Sequence, residues 1–177
     1  MLEHVPLARA SKGHFFSIFG APLYFVGYYG LKEFFKKSNT TLATLLFLLG
    51  GLAFFFGSIW ISSRYFGAVV LQKSQATPDY AFYLKSYKNH YQILVWVLRI
   101  IIAALSVVYV LLILSNKQGL PKWLVFFNPI VLLIIIISSL FWLKPLGVHI
   151  APIAMNVAHF IFFGVLLWQI NRSMKIT

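Results

Sequence analysis

Residues 125–143 read VFFNPIVLLIIIISSLFWL, and this stretch decides the class of fold. It holds no charge and runs four isoleucines together at Ile134–Ile137. A strand of a membrane barrel alternates apolar and polar residues, and this run does not. A helix crossing a bilayer needs about 20 mostly apolar residues, because it rises about 1.5 Å per residue through a hydrocarbon layer roughly 30 Å thick. The run meets that need, and a helix satisfies its own backbone groups where no water is present. It predicts a membrane span.

Four further segments resemble it. They cover 15–31, 41–63 with an apolar continuation to 71, 91–114 and 150–170. With 123–143 they predict an all-α fold: one integral membrane domain over 1–177, a bundle of about five spans. The first segment follows Arg9 and Lys12 as a secretory signal does, but it ends in Tyr28-Tyr29-Gly30-Leu31-Lys32 without a small-x-small cleavage pattern. It reads as a retained span. Between the second and third spans, Thr77-Pro78-Asp79 supplies an N-cap, a proline at the first helical position and an acid in the first turn. Tyr80, Tyr83, Leu84, Tyr87 and Tyr91 then recur at helical spacing, with Lys85 and Lys88 off the stripe. That pattern predicts an amphipathic helix over 78–90, lying in the interface where tyrosine rings settle.

Composition agrees. Of 177 residues, 60% are hydrophobic and 10% charged, whereas soluble domains carry roughly a quarter charged residues. These proportions exclude a soluble globular domain and a disordered chain, and the absence of cysteine excludes a disulfide scaffold. Lys and Arg number 15 against 3 acids, a net charge of +12. Five spans divide the basic residues almost evenly, six on one side and seven on the other, so orientation is open. Lys36-Lys37 and the C-terminal tail favour a cytoplasmic C-terminus. Spread over two faces, the charge is no nucleic-acid footprint. It suits the lipid bilayer as partner, with anionic headgroups drawn to both rims.

Two short motifs carry a resemblance. Ala21-Pro22-Leu23-Tyr24 with Gly27, and Pro121-x-Trp123-x-x-x-Phe127-Asn128-Pro129, look like those of an uncharacterised family of small polytopic bacterial membrane proteins. The order of spans is similar over most of the chain, although members usually begin with one further hydrophobic segment that this chain lacks. The resemblance implies a multi-pass protein of the bacterial inner membrane and assigns no activity and no catalytic residue.

Polar groups inside spans invite functional readings, because each costs several kcal/mol in hydrocarbon unless it is paired. Arg99 lies about six residues inside the third span and either snorkels to the interface or faces a cavity or a partner. Arg64 comes 23 residues after Thr41 and reads as interfacial. In the fifth span His149, Pro152, Asn156, His159 and Phe163 share one face, which suits bonding between helices. The sharper reading has Asn156 and His159 lining a polar cavity with Arg99, Ser106 and Tyr109. Asn128-Pro129 is either a kink or helix start near the interface, or an unwound turn whose freed carbonyls meet a ligand. The candidate ligand-binding residues are therefore Arg99, Ser106, Tyr109, Asn128, His149, Asn156 and His159. Gly20 with Gly27 and Gly50 with Gly57, each pair seven apart, give the first two spans smooth faces for close packing.

No metal and no cofactor is expected, since two histidines ten residues apart with no nearby acid or cysteine do not form a site. The acids are Glu3, Glu33 and Asp79, none of them deep in a span, which removes carboxylate relays and two-carboxylate hydrolysis. Neither a Ser-His-acid set nor a phosphate loop is present. Three functions remain. The first is a non-enzymatic membrane component that assembles with itself or with another membrane protein. The second is a binder or transporter of an anionic or amphipathic small molecule or lipid. The third is an enzyme acting on lipid through His149 or His159.

Overall fold

The computed structural model describes residues 6–73, 77–117, 119–142 and 153–174. Among these the chain is helical, with no strand: α1 (Leu7–Phe35), α2 (Thr40–Lys73), α3 (Tyr80–Leu114), a 3₁₀ helix (Lys122–Phe127), α4 (Pro129–Trp142) and α5 (Ala154–Met174). Among the described residues three helices are long and apolar enough to cross a membrane: Thr40–Lys73, Tyr80–Leu114 and Ala154–Ser173. α1 matches them in length, but His14, Ser17, Pro22 and its tyrosines dilute its apolar character. α4 is apolar but has 14 residues, about 21 Å of helix, short of a roughly 30 Å core. His149, Pro152 and the connection expected at 144–149 lie outside the described residues.

Two boundaries differ from the sequence reading. α3 runs unbroken through both the 78–90 helix and the span expected from 91. Nothing between Tyr80 and Tyr91 ends a helix: the chain there has no glycine or proline, and Pro78 stands just before the start. Helical bonding begins at Asp79, whose carbonyl accepts from the Tyr83 amide at 3.1 Å. The fourth segment, by contrast, is broken. Pro129 crowds the residue before it, and Asn128 takes φ −79°, ψ 156°, so a 3₁₀ helix precedes Asn128 and α4 follows it.

The chain divides into two compact units, Met1–Tyr28 with Leu48–Ile101 and Tyr29–Phe47 with Ile102–Thr177. In the first unit α1 and α2 meet along a seam of mixed character. His14, Ser17, Ala21, Tyr24 and Tyr28 recur at alternating steps of three and four, the spacing of a coiled-coil face. Tyr24 stacks on Phe54 at 3.5 Å between ring centroids. The Tyr28 ring, fully buried, lies over Gly50, and Phe25 lies over Gly51. Gly50 therefore packs closely, as expected of the smooth face. Gly20 and Gly57 do not: a Cβ on either would meet nothing within 4 Å. α3 joins this unit where Tyr87 covers Gly67 and Tyr91 reaches Trp60 at 6.0 Å between ring centroids.

In the second unit the turn between α1 and α2 is closed by backbone bonds from Ser38 and Asn39 to the Phe35 carbonyl, and Asn39 Oδ1 caps α2 by accepting from the Leu42 amide at 3.0 Å. A second turn leads from α3 to the 3₁₀ helix. There Asn116 brackets Leu120, accepting from its amide at 3.0 Å and donating to its carbonyl at 3.2 Å. The loop closes through Gly119 at φ +74°, a left-handed conformation that favours glycine. Lys117 N donates to Ser38 Oγ at 3.1 Å and so ties the two turns together. α4 packs on α5, and the 3₁₀ helix touches both. Leu105, Leu112, Leu124, Phe162 and Leu166 are fully buried in this unit.

Candidate functional site

The residues singled out from the sequence fall in different places. Arg99 belongs to the first unit and is exposed, its guanidinium 5.2 Å from the Trp96 ring. A helical side chain leans toward the N-terminus of its helix. The Arg99–Trp96 contact has that direction. On α2 the Arg64 guanidinium leans the same way along its helix, 5.9 Å from the Trp60 ring.

Ser106, Tyr109, Asn128, Asn156 and His159 belong to the second unit. Tyr109 and His159 are buried on either side of Phe162, 5.0 Å and 6.2 Å from its ring. The Tyr109 hydroxyl donates to the Leu124 carbonyl at 3.0 Å and so fastens the 3₁₀ helix to α3. His159 Nδ1 lies 2.9 Å from the Met155 carbonyl; a carbonyl only accepts, so this nitrogen carries the proton. Ser106 is buried, and its Oγ has no hydrogen-bond partner among the described residues. Asn156, one turn before His159, is exposed. Tyr109 and His159 thus both border the Phe162 ring.

Asn128 has a structural assignment. Its Oδ1 accepts from the amides of Ile130 and Val131 at 3.0 and 3.1 Å, and its Nδ2 donates to the Val125 carbonyl at 2.9 Å. The amide oxygen thus caps α4 and the amide nitrogen ties back to the 3₁₀ helix, with proline in the first helical position of α4 where its missing N–H is harmless. Among the described residues no group of three or more His, Cys, Asp or Glu is placed to hold a metal ion.

A second location in the first unit was not evident in the sequence. A groove of about 640 Å³ runs between α1 and α2. Ile18, Pro22 and Phe25 form one wall, and Phe55, Ile59 and Phe66 form the other. Ala21 and Ser58 lie along it, while His14, Ser62 and Ser63 gather at one end. The polar atoms of this end are mostly turned into the seam. Ser58 Oγ donates to the Ser17 carbonyl at 3.0 Å, Ser17 Oγ to the His14 carbonyl at 2.7 Å, and Ser63 Oγ to the Trp60 carbonyl at 2.7 Å. Ser62 Oγ sits 3.4 Å from Ser17 Oγ, and its carbonyl faces His14 Nδ1 at 3.5 Å. The groove floor is therefore held by internal hydrogen bonds, and its walls stay apolar. The signal that marks it in the sequence is the recurrence of His14, Ser17 and Ala21 on one face of an otherwise phenylalanine-rich helix.

No curated protein and no solved structure matches this chain. A family of unknown function, DUF6796, matches residues 2–173, and the chain belongs to that family.

Proposed function

We propose that this chain is a five-crossing, non-enzymatic component of a lipid bilayer that acts by associating with itself or with another membrane protein. The observation that carries the membrane part is the outward surface. Phe16, Phe19 and Phe160 are 75%, 74% and 81% exposed, and large apolar side chains cover the outer faces of α1 to α5 in the same way. Such a surface needs lipid or protein against it. Depth follows from the aromatic residues. Trp60, Tyr87 and Tyr91 cluster in the first unit, with Arg64 over Trp60, as residues of a headgroup belt do. Trp96 and the Arg99 guanidinium come five residues deeper, about 7.5 Å, close to the width of one interfacial layer.

Two helices that fall short of a span on their own gain support from their neighbours. α1 pairs with α2 from His14 at Ser62 to Tyr28 at Gly50, so α1 shares the depth of α2 over that length. α4 packs beside α5. The non-enzymatic reading rests on the scarcity of acids: Glu33 is hydrogen-bonded by Lys36 at the end of α1, and Asp79 stands at the start of α3.

The natural absence of cysteine makes the test direct. Single cysteines at Lys12, Lys36, Lys73 and Arg172 are exposed to a membrane-impermeant maleimide from each side of sealed vesicles. Five crossings place Lys12 with Lys73 on one face and Arg172 with Lys36 on the other. Lys12 labelled together with Lys36 removes α1 as a span, and Arg172 labelled together with Lys73 removes α4. Association is read separately, as the mass of the particle in lipid nanodiscs. A lone chain with no copurifying partner counts against it. The groove favours a second reading, a site for an amphipathic ligand.

A further inference from the structure

We propose that the groove between α1 and α2 holds one acyl chain of an anionic phospholipid, with the headgroup at the His14 end. The inference rests on the membrane register argued above and assigns a binding site that the register alone does not require. Length comes first. The walls run from His14 to Phe25 and from Phe55 to Phe66, eleven residues each way, or about 16 Å, which is close to half of a roughly 30 Å hydrocarbon core. The groove is thus as long as one leaflet is deep. Its volume of about 640 Å³ lies inside the roughly 300–1,000 Å³ range of small-molecule sites.

Polarity gives the direction. The Phe25 and Phe55 end is apolar, and the polar groups collect at His14, Ser62 and Ser63. That end lies level with or just outside the Trp60 belt. Most serine hydroxyls there are already spent on the seam, so the groove offers a sugar or a peptide few donors, whereas a hydrocarbon tail needs none. Charge decides the headgroup. Arg9 and Lys12, both exposed, precede His14 within two helical turns, and Arg64 follows Ser63 directly. Asp79 is the sole acid among the described residues of this unit. Basic residues at the rim of an apolar slot attract a phosphate.

The experiment uses the full chain purified in an uncharged detergent free of phospholipid. Its thermal unfolding is followed with added phosphatidylglycerol, phosphatidylcholine, oleate or glycerol 3-phosphate. Ligand bound to the folded state alone raises the transition by mass action, here by about 5 °C or more for phosphatidylglycerol. The expected result is that phosphatidylcholine gives less than half of that shift and glycerol 3-phosphate none. Ile59→Trp, which fills the slot from its rim, should abolish the selectivity. Arg9→Gln with Lys12→Gln should halve it, while Phe19→Trp, exposed and outside the groove, should leave it intact. Equal shifts with both phospholipids, a shift with oleate but not phosphatidylglycerol, or undiminished selectivity in Ile59→Trp would each overturn the proposal. The labelling experiment stays independent. Lys12 and Lys73 on one face with undiminished selectivity in Ile59→Trp overturns the groove alone, and Lys12 and Lys73 on opposite faces overturns the register beneath it.

Discussion

The Tyr28 ring occupies the place that a side chain at Gly50 would take: a Cβ there would run into the ring's Cγ. Cγ is the root of the ring, and Tyr28 is fully buried, so the ring has nowhere to swing. Overpacking of this kind costs about 1–3 kcal/mol, more than the roughly 1 kcal/mol that alanine gains over glycine in a helix. Gly50→Ala should therefore lower the thermal transition of the purified protein. Gly57→Ala, seven residues on and open to 4 Å, should leave it unchanged or raise it. Equal effects at both positions would mean that the seam is not built as described.

Asn128 should behave as a cap. Asn128→Ala removes the acceptor for two amides and should cost about 1–2 kcal/mol, read as a lower unfolding temperature in detergent. Asn128→Ser keeps a capping oxygen and should recover most of the loss. A serine variant no better than alanine would point to a role for the side-chain amide beyond α4.

Tyr109 and Ser106 are predicted to differ in sign. Tyr109→Phe strips the buried Leu124 carbonyl of its donor and should destabilise by about 1–3 kcal/mol. Ser106→Ala removes a buried hydroxyl that has no partner among the described residues, so unfolding should occur at the same temperature or higher. The two variants are best compared in the same detergent. Loss of stability in Ser106→Ala would show that the hydroxyl is engaged.

The two ends of the Phe25 and Gly51 contact give a fourth prediction. A Cβ on Gly51 would meet the far edge of the Phe25 ring, at 2.5 Å from Cε1, and Phe25 is itself partly exposed and able to turn. Gly51→Ala should cost less than Gly50→Ala, by at least half on the temperature scale. The reverse order would exchange the roles given to Tyr28 and Phe25.

Apolar runs were enough to locate the described helices, because each is built on a long stretch of apolar residues. They were poor at ends. α2 and α3 continue past the apolar stretch through residues such as Arg64, Tyr83 and Lys85, which are good helix formers or interface residues and give no stop signal. Pro129 was legible as a kink, a helix start or an unwound turn, and α4 begins at it, directly after the extended Asn128. The α1–α2 groove stayed hidden for a different reason. In a soluble helix the apolar stripe marks the inside, but a membrane helix is apolar outside as well. On α1 the contrast is inverted, with Phe15, Phe16 and Phe19 facing out and His14, Ser17 and Ala21 facing the seam. Hydrophobicity is the wrong signal there, and recurrence of small and polar residues is the right one. Asn156 and His159 show the same weakness: one turn apart on α5, the first is exposed and the second buried. Helical spacing puts residues on a face, and only packing decides what that face meets.

Lys117 and Ser38 carry a practical consequence. Their hydrogen bond joins the turn after α1 to the turn after α3, and Asn116 and Gly119 fix the second of these internally. Two connections that look like independent surface loops share one fastening. An epitope tag or a fused reporter inserted at either would be felt at both, and an altered reading there would describe the insertion rather than the native chain. Reporters belong on exposed side chains such as Lys37 or Lys122, where a single substitution leaves the fastening in place.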